Sequence, residues 1–387
     1  MILASIFIGG AALIFALILA ALAVFFPVLY FLWARIYRVQ DIADEVYFAR
    51  TDDGWNIPLH YHRPANPRPG ALPVIFSHGI AVNKYGVDLD IEHSLAYYLK
   101  QNGFSVFVIG LRGTDRSRPM SGKKNRDFSF DDIVNYDVPA AIRAVLNLTE
   151  APKVNWVGHS MGAMIAFAFL GRELPLSERV VSLTSIGGPG SLKHAQLSIW
   201  GIASRHPWIG RVLDLRFGSQ ALSPLLGRIS TPIEDMVFNR RLVNGTTIRR
   251  VSRNAVENIA PGLARQFSDW IQGGHQRTRD GSVDYRDTFG NIEIPVLFLA
   301  GVRDHLAPPE SVRYLYDAIG SRKKRMRVLG KQYGQDEDYC HTGLVLADTA
   351  SRDVFPGVLE WLLQYGVVKR KARFLSRIFS KKGELRT

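Results

Sequence analysis

The first apolar stretch runs from Ile2 to Phe26 and consists almost wholly of Ile, Leu, Ala, Val, Phe and Gly; the first charged side chain is Arg35. A bilayer core takes about 20 apolar residues, so residues 1–34 are expected to form a transmembrane helix. Pro27 falls near its end, and Tyr30 and Trp33 stand where an interfacial aromatic belt belongs, ahead of Arg35 and Arg38. A cleavable signal peptide, the rival reading, would carry a basic start and a shorter apolar core, and neither is present. Lys and Arg follow the span and none precedes it. The positive-inside rule then sets the N-terminus outside and the remainder in the cytoplasm.

Beyond the span the pattern shortens. β-rich apolar runs at 73–77, 105–110, 154–157, 180–185, 295–300 and 326–329 alternate with helical patterns at 91–101, 131–146, 162–170, 309–318 and 355–365. Such alternation predicts an α/β fold with a mostly parallel sheet flanked by helices. Pro356 suits the first turn of the last helix, where no N–H is needed. An antiparallel hairpin is predicted over 45–62, turning at Asp52-Asp53-Gly54. The rhythm breaks over 186–294, a stretch that holds Trp200, Pro207, Trp208, Ile209, Leu213, Leu225, Trp270, Ile271 and many arginines. It reads as a cap over the carboxyl ends of the strands, or as ordinary helical packing on the main domain. The expected organisation is an anchor at 1–34, a core at 35–190, a cap insertion at 191–290, a second core segment at 291–366 and a basic tail at 367–387.

The formal charge of +13 changes meaning once it is located. Residues 369–387 carry eight Lys or Arg and one Glu, a net of +7, which is more than half of the excess. Elsewhere no basic stripe with interleaved aromatics occurs, so nucleic acid is not expected as a partner. Phe374, Leu375, Ile378 and Phe379 share a helical face with Arg373, Arg377, Lys381 and Lys382 around them. This tail is expected either to lie on an anionic leaflet as an amphipathic helix or to remain solvated. Cys340 is the sole cysteine, which excludes an intramolecular disulfide.

The strongest chemical signal is Gly158-His159-Ser160-Met161-Gly162, between the strand at 154–157 and an Ala- and Phe-rich helix. A G-x-S-x-G turn in that context holds a serine hydroxyl above the sheet as a nucleophile. Such a serine needs an imidazole base, itself oriented by a carboxylate, in the chain order Ser, acid, His. His341 is the only histidine after His305, and Asp304 follows the strand at 295–300; both are assigned accordingly. The developing oxyanion needs two donors, assigned to the amides of Met161 and Ile80, the latter in the loop Ser77-His78-Gly79-Ile80. His78 is expected to bond loop backbone. Arg112 reads as a structural ion pair or a brace of the site. No metal-ligand spacing, P-loop or dinucleotide fingerprint occurs, so neither metal nor cofactor is expected.

From residue 72 to 363 the chain resembles the α/β-hydrolase superfamily, in particular its acid-lipase-like and polyhydroxyalkanoate-synthase-like branches. Ser77-His78-Gly79, the stretch from Asp88 to Ala96, the stretch from Leu111 to Ser117, the serine turn, the stretch from Gly301 to Pro308, and Tyr339-Cys340-His341 carry the resemblance. It implies an α/β-hydrolase fold and acyl transfer by a Ser160–His341–Asp304 triad. The polyester synthases use cysteine, so serine at 160 implies lipase or esterase chemistry on a lipid or other hydrophobic ester. Cys340 departs from the glycine often found before the histidine. An acyltransferase with the same triad, or a silent membrane-tethered binding module, stays open on sequence alone.

Overall fold

The computed structural model of the 387-residue chain describes residues 2–114, 116–121, 127–192, 214–229 and 231–368. Trp200, Pro207, Trp208, Ile209 and Leu213 of the expected cap, Asp115, and the tail 369–387 with its amphipathic face lie outside these residues.

Among the described residues nine strands form one sheet, β1 (Glu45–Arg50), β2 (Trp55–His62), β3 (Val74–Ser77), β4 (Val106–Ile109), β5 (Arg118–Pro119), β6 (Val154–His159), β7 (Val180–Ile186), β8 (Val296–Gly301) and β9 (Lys324–Leu329). Their order is β1-β2-β4-β3-β6-β7-β8-β9, with the two-residue β5 beside β2. β1 and β2 form the expected antiparallel hairpin, and β2 meets β4 antiparallel; from β4 to β9 all pairings are parallel. β3 lies between β4 and β6, so the chain leaves it first to one side and then to the other. At such a switch point the carboxyl ends of neighbouring strands open a crevice. Ser77 pairs with Gly158 there, which brings the loop after β3 beside the serine turn.

Parallel strands covered on both sides bury both faces. Ile75, Phe107, Trp156 and Phe298 enter one core; Phe76, Val108, Val157 and Leu299 enter the other. The flanking helices include α2 (Leu95–Gln101), α3 (Val138–Thr149), α4 (Met161–Gly171), α9 (Pro309–Ala318) and α10 (Phe355–Tyr365). Between β7 and β8 lie α5 (Leu215–Leu222), α6 (Pro232–Val237), α7 (Gly245–Asn254) and α8 (Pro261–Gly273).

Two helix boundaries differ from the sequence pattern. α2 starts at Leu95 rather than 91, because Ser94 caps it by accepting from the Tyr97 amide at 2.9 Å. The pattern at 131–146 is not one helix. A π-helical turn, Ile133–Asp137, precedes Pro139, which cannot donate to residue 135 and whose ring would crowd that carbonyl in a regular α turn.

At the N-terminus α1 (Ile2–Ile36) is a single helix; its stretch Leu17–Ile36 has a mean hydropathy of 2.4 and is unburied. That is long and apolar enough to cross a membrane, or to serve as a signal sequence. Arg112, buried after β4, pairs with Asp53 at 2.7 Å and Asp137 at 2.8 Å and lies against Trp55 and Tyr136. It is therefore a structural ion pair that ties the hairpin turn to the π turn.

A second polar tie joins the loop before α2 to the segment following His341. His93 bonds Asp90 through Nδ1 at 2.8 Å and Asp348 through Nε2 at 3.0 Å. Burial alone would lower the imidazole, but the two carboxylates outweigh it and raise it above 6.5. A raised folded value means this stabilisation is complete below the unfolded pKa and fades as pH climbs through the folded one. His93→Gln is thus expected to cost more stability near about pH 5.5 than near about pH 9, read from urea unfolding midpoints.

Candidate active site

β6 passes into α4 through Gly158-His159-Ser160-Met161-Gly162, and the turn is tight because two of these residues lack side chains. A Cβ on Gly158 would lie 2.3 Å from the Gly162 carbonyl oxygen, and one on Gly162 would lie 2.3 Å from the Ser77 carbonyl oxygen. Ser160 takes φ 56 and ψ −123, a conformation costly for a residue with a Cβ. Its amide donates to the Ile186 carbonyl at 2.9 Å, which pins the turn to the end of β7. The side chain makes no capping bond to α4.

Asp304 and His341 come together as expected. His341 Nδ1 lies 2.8 Å from Asp304 Oδ2, and both side chains are buried. Asp304 Oδ1 accepts from the amides of Leu306 at 2.9 Å and Ala307 at 2.7 Å. Burial alone would raise this carboxyl; the charge and hydrogen bond of His341, with the Ala307 and Leu306 amides, outweigh it and hold Asp304 below the usual carboxylate range. The pair stands beside the serine turn. Gly187, which follows Ile186 at φ 57, sits tight against the pair: a Cβ there would meet Asp304 Oδ2 at 3.2 Å and His341 Nδ1 at 3.3 Å, close contacts in a backbone conformation that side chains rarely adopt. Among the described residues Ser160 Oγ makes no hydrogen bond to the His341 ring.

His159, the variable residue of the motif, supplies a contact that sequence reasoning missed. Its ring packs 4.7 Å from that of His341, and its Nε2 lies 3.1 Å from the His341 carbonyl. Burial, aided by the neighbouring His341, pushes its pKa down to about 3, so the ring is neutral and Nε2–H donates. The residue before the serine thereby holds the loop that carries the histidine. A G-x-S-x-G pattern gives no sign of this.

The amides of Ile80 and Met161 have no protein carbonyl as partner among the described residues. Gly79 brings the first of them close: a Cβ on Gly79 would lie 3.0 Å from Ser160 Cβ and 3.4 Å from its Oγ. His78 directs the intervening peptide. The Leu111 amide donates to His78 Nε2 at 3.2 Å, which leaves the proton on Nδ1 to donate to the Gly79 carbonyl at 2.9 Å. In a trans peptide the C=O and the following N–H point opposite ways, so gripping Gly79 O aims the Ile80 N–H away from His78.

The segment between β7 and β8 secures both loops. Asn83 N donates to Ala255 O at 2.8 Å, Glu257 N to Ala81 O at 2.9 Å, and Asn83 Nδ2 to Glu257 Oε1 at 2.8 Å. On the histidine side, Asn239 Nδ2 donates to Asp338 O at 2.9 Å. Cys340 Sγ accepts from the amides of Asn239 at 3.1 Å and Gly343 at 3.3 Å, and burial raises its thiol pKa. A buried thiol kept protonated is a packing group rather than a reactive one.

A hydroxyl, an imidazole–carboxylate pair and two open amides around one crevice can carry out acyl transfer. Residues 73–347 match the family model described as the alpha/beta hydrolase fold. Lipase 1 of Drosophila melanogaster is 30% identical over 82% of this chain and 76% of its own length. The lysosomal acid lipase/cholesteryl ester hydrolase of Homo sapiens is 30% identical over a shorter stretch, 38% of this chain and 40% of its own. A solved hydrolase from Pseudomonas aeruginosa PA01 superposes with a TM-score of 0.54 at 16% identity, covering 83% of this chain and 99% of that one, a likeness of fold alone.

Proposed function

Since the chain belongs to the α/β-hydrolase fold family, on its lipase-like side, we propose that it is a membrane-anchored serine hydrolase that cleaves a hydrophobic carboxylic ester through Ser160, His341 and Asp304. Relatives that bear the name lipase, Lipase 1 of Drosophila melanogaster among them, support this reading. The observation that carries the reading is the strained serine at φ 56, beside the buried Asp304–His341 pair.

Ser160 Oγ attacks the acyl carbon while His341 Nε2 takes its proton. Asp304 keeps the His341 proton on Nδ1 and stabilises the imidazolium. The Ile80 and Met161 amides receive the oxyanion. His341 then protonates the departing alkoxide, leaving an acyl-serine that water, deprotonated by the same ring, hydrolyses. Segment 191–290 acts as a cap over the crevice, and α1 anchors the chain with the catalytic domain on the cytoplasmic side; the tail 367–387 adds a basic contact to the leaflet. The apolar cap together with the anchor favours lipid-like acyl groups as substrate.

A fluorophosphonate probe is expected to attach to the protein at Ser160, as read by peptide mass spectrometry. A protein that stays unlabelled while hydrolysing no p-nitrophenyl ester would overturn the reading. His78→Ala is expected to lower kcat by about 10²-fold, the scale of one lost oxyanion donor, with little change in KM. Steady-state kinetics on a short p-nitrophenyl ester check it.

A further inference from the structure

Within residues 215–229 the chain exposes several large apolar side chains, Leu215, Phe217 (59% exposed), Leu222 (54%), Leu225 (51%) and Ile229 (58%). α5 buries none of its own residues. Yet it is held firmly. Ser219 Oγ donates to Ser252 O of α7 at 2.8 Å, and α7 carries Arg249, Arg250 and Arg253 with no acidic residue. So many exposed large apolar side chains in one short segment are uncommon on a water-facing domain and mark a docking face.

What it faces follows from its attachment to α1. Tyr30 Oη donates to Gln220 Oε1 at 2.8 Å, the Tyr30 and Phe217 rings lie 6.0 Å apart, and Arg253 stacks 4.3 Å over Tyr30. Seven residues further on, Asn254 Nδ2 donates to Tyr37 O at 2.8 Å and Arg249 lies 5.6 Å over the Tyr37 ring. Phe217 therefore sits level with Tyr30, about 6 Å along the helix from Phe26, whose side chain is bare and apolar. The segment thus joins the unburied helix α1 at Tyr30. Arg216 and Arg228 lie on the segment and Arg249, Arg250 and Arg253 on α7, cations that anionic headgroups attract, although Arg216 is paired with Glu257 and Arg250 with Asp90.

We propose that residues 215–229 form a second membrane contact, docked into the headgroup region of the same anionic leaflet that α1 crosses. The inference rests on the anchored reading of α1. Amphipathic segments of this kind bury their apolar side chains shallowly, at the boundary of headgroups and acyl chains. Because α7 runs into residues 255–257, which bond the loop carrying Ile80, the docked face sets the crevice beside the leaflet from which a hydrophobic ester would come.

The test uses the full chain in nanodiscs of phosphatidylcholine and phosphatidylglycerol containing doxyl-labelled lipid. An environment-sensitive fluorophore is placed singly by Phe217→Cys, Leu225→Cys, Phe26→Cys or Asp52→Cys; the native Cys340 is 1% exposed and does not compete for label. Asp52 lies past the far end of β1, about 20 Å along the strand from Glu45. Shallow doxyl lipid is expected to remove roughly half or more of the fluorescence at 217 and 225, to quench position 26, and to leave position 52 unchanged. Quenching at 26 without quenching at 217 and 225 overturns the docking face while the anchor stands. A blue shift at 217 without lipid quenching also overturns it, and identifies a protein partner or a second copy as the occupant. No quenching at 26 removes the anchored reading, and the docking proposal with it.

Discussion

Ser160→Ala is expected to lower kcat on a short p-nitrophenyl ester by about 10⁴- to 10⁶-fold, equivalent to about 5–8 kcal/mol of transition-state stabilisation. The substitution removes the attacking oxygen and nothing else of consequence. Ser160 caps no helix amide, and alanine bears the same Cβ at φ 56 and so suffers the same backbone strain. The amide bond to Ile186 O at 2.9 Å is untouched. Melting temperature and KM should therefore stay near those of the parent, which separates lost chemistry from lost folding. The residual rate over water would come from the two open amides and from substrate binding. Turnover within about tenfold of the parent would mean that another group attacks the ester.

Asp304→Asn is expected to cost about 10⁴-fold in kcat at neutral pH, again with little loss of stability. The direction follows from which oxygen accepts which bond. Oδ1 takes two amide donors, Leu306 at 2.9 Å and Ala307 at 2.7 Å, so the oxygen of an asparagine must occupy that position. Its NH₂ group then faces His341 Nδ1, where Oδ2 stood at 2.8 Å. A donor there forces the neutral imidazole to keep its proton on Nε2, the atom that has to accept one from Ser160. The positive charge formed on His341 during attack would also lose its buried counter-charge. The two backbone bonds survive, so the loop after β8 keeps its shape. Kinetics together with a melting curve check this. A variant that melts far below the parent yet turns over at a similar rate would show Asp304 to be a turn carboxylate instead.

Much of the site was legible because its signals are local. A glycine two residues either side of Ser160, after a β-rich run and before an Ala-rich helix, is a short-range steric requirement, and the contacts of Gly158 and Gly162 at 2.3 Å give its reason. Strand and helix alternation is equally local, and each of the six β-rich runs found from pattern became a parallel strand. Boundaries failed where a side chain intervened: the Ser94 hydroxyl started α2 late, and Pro139 turned one expected helix into a π turn and a second helix. The roles of His159 and Gly187 were invisible, since nothing in their neighbours reports a contact with residue 341, far along the chain.

By itself the order of residues determined the apolar N-terminal helix, the alternating elements, the serine turn and the shortlist of one base and one acid. Those follow from hydrophobic periodicity and from the backbone freedom of individual residues, which act over a few positions. The tertiary structure alone decided which strand ends meet. β3 lies between β4 and β6, so the loop of Ile80 faces Ser160, and β7 beside β8 sets Gly187 against Asp304 and His341. It also decided that α5 rests on Tyr30 with its large apolar side chains uncovered. Strand order and helix docking are settled by packing between segments distant in the chain, where loop closure and buried surface outweigh any local preference.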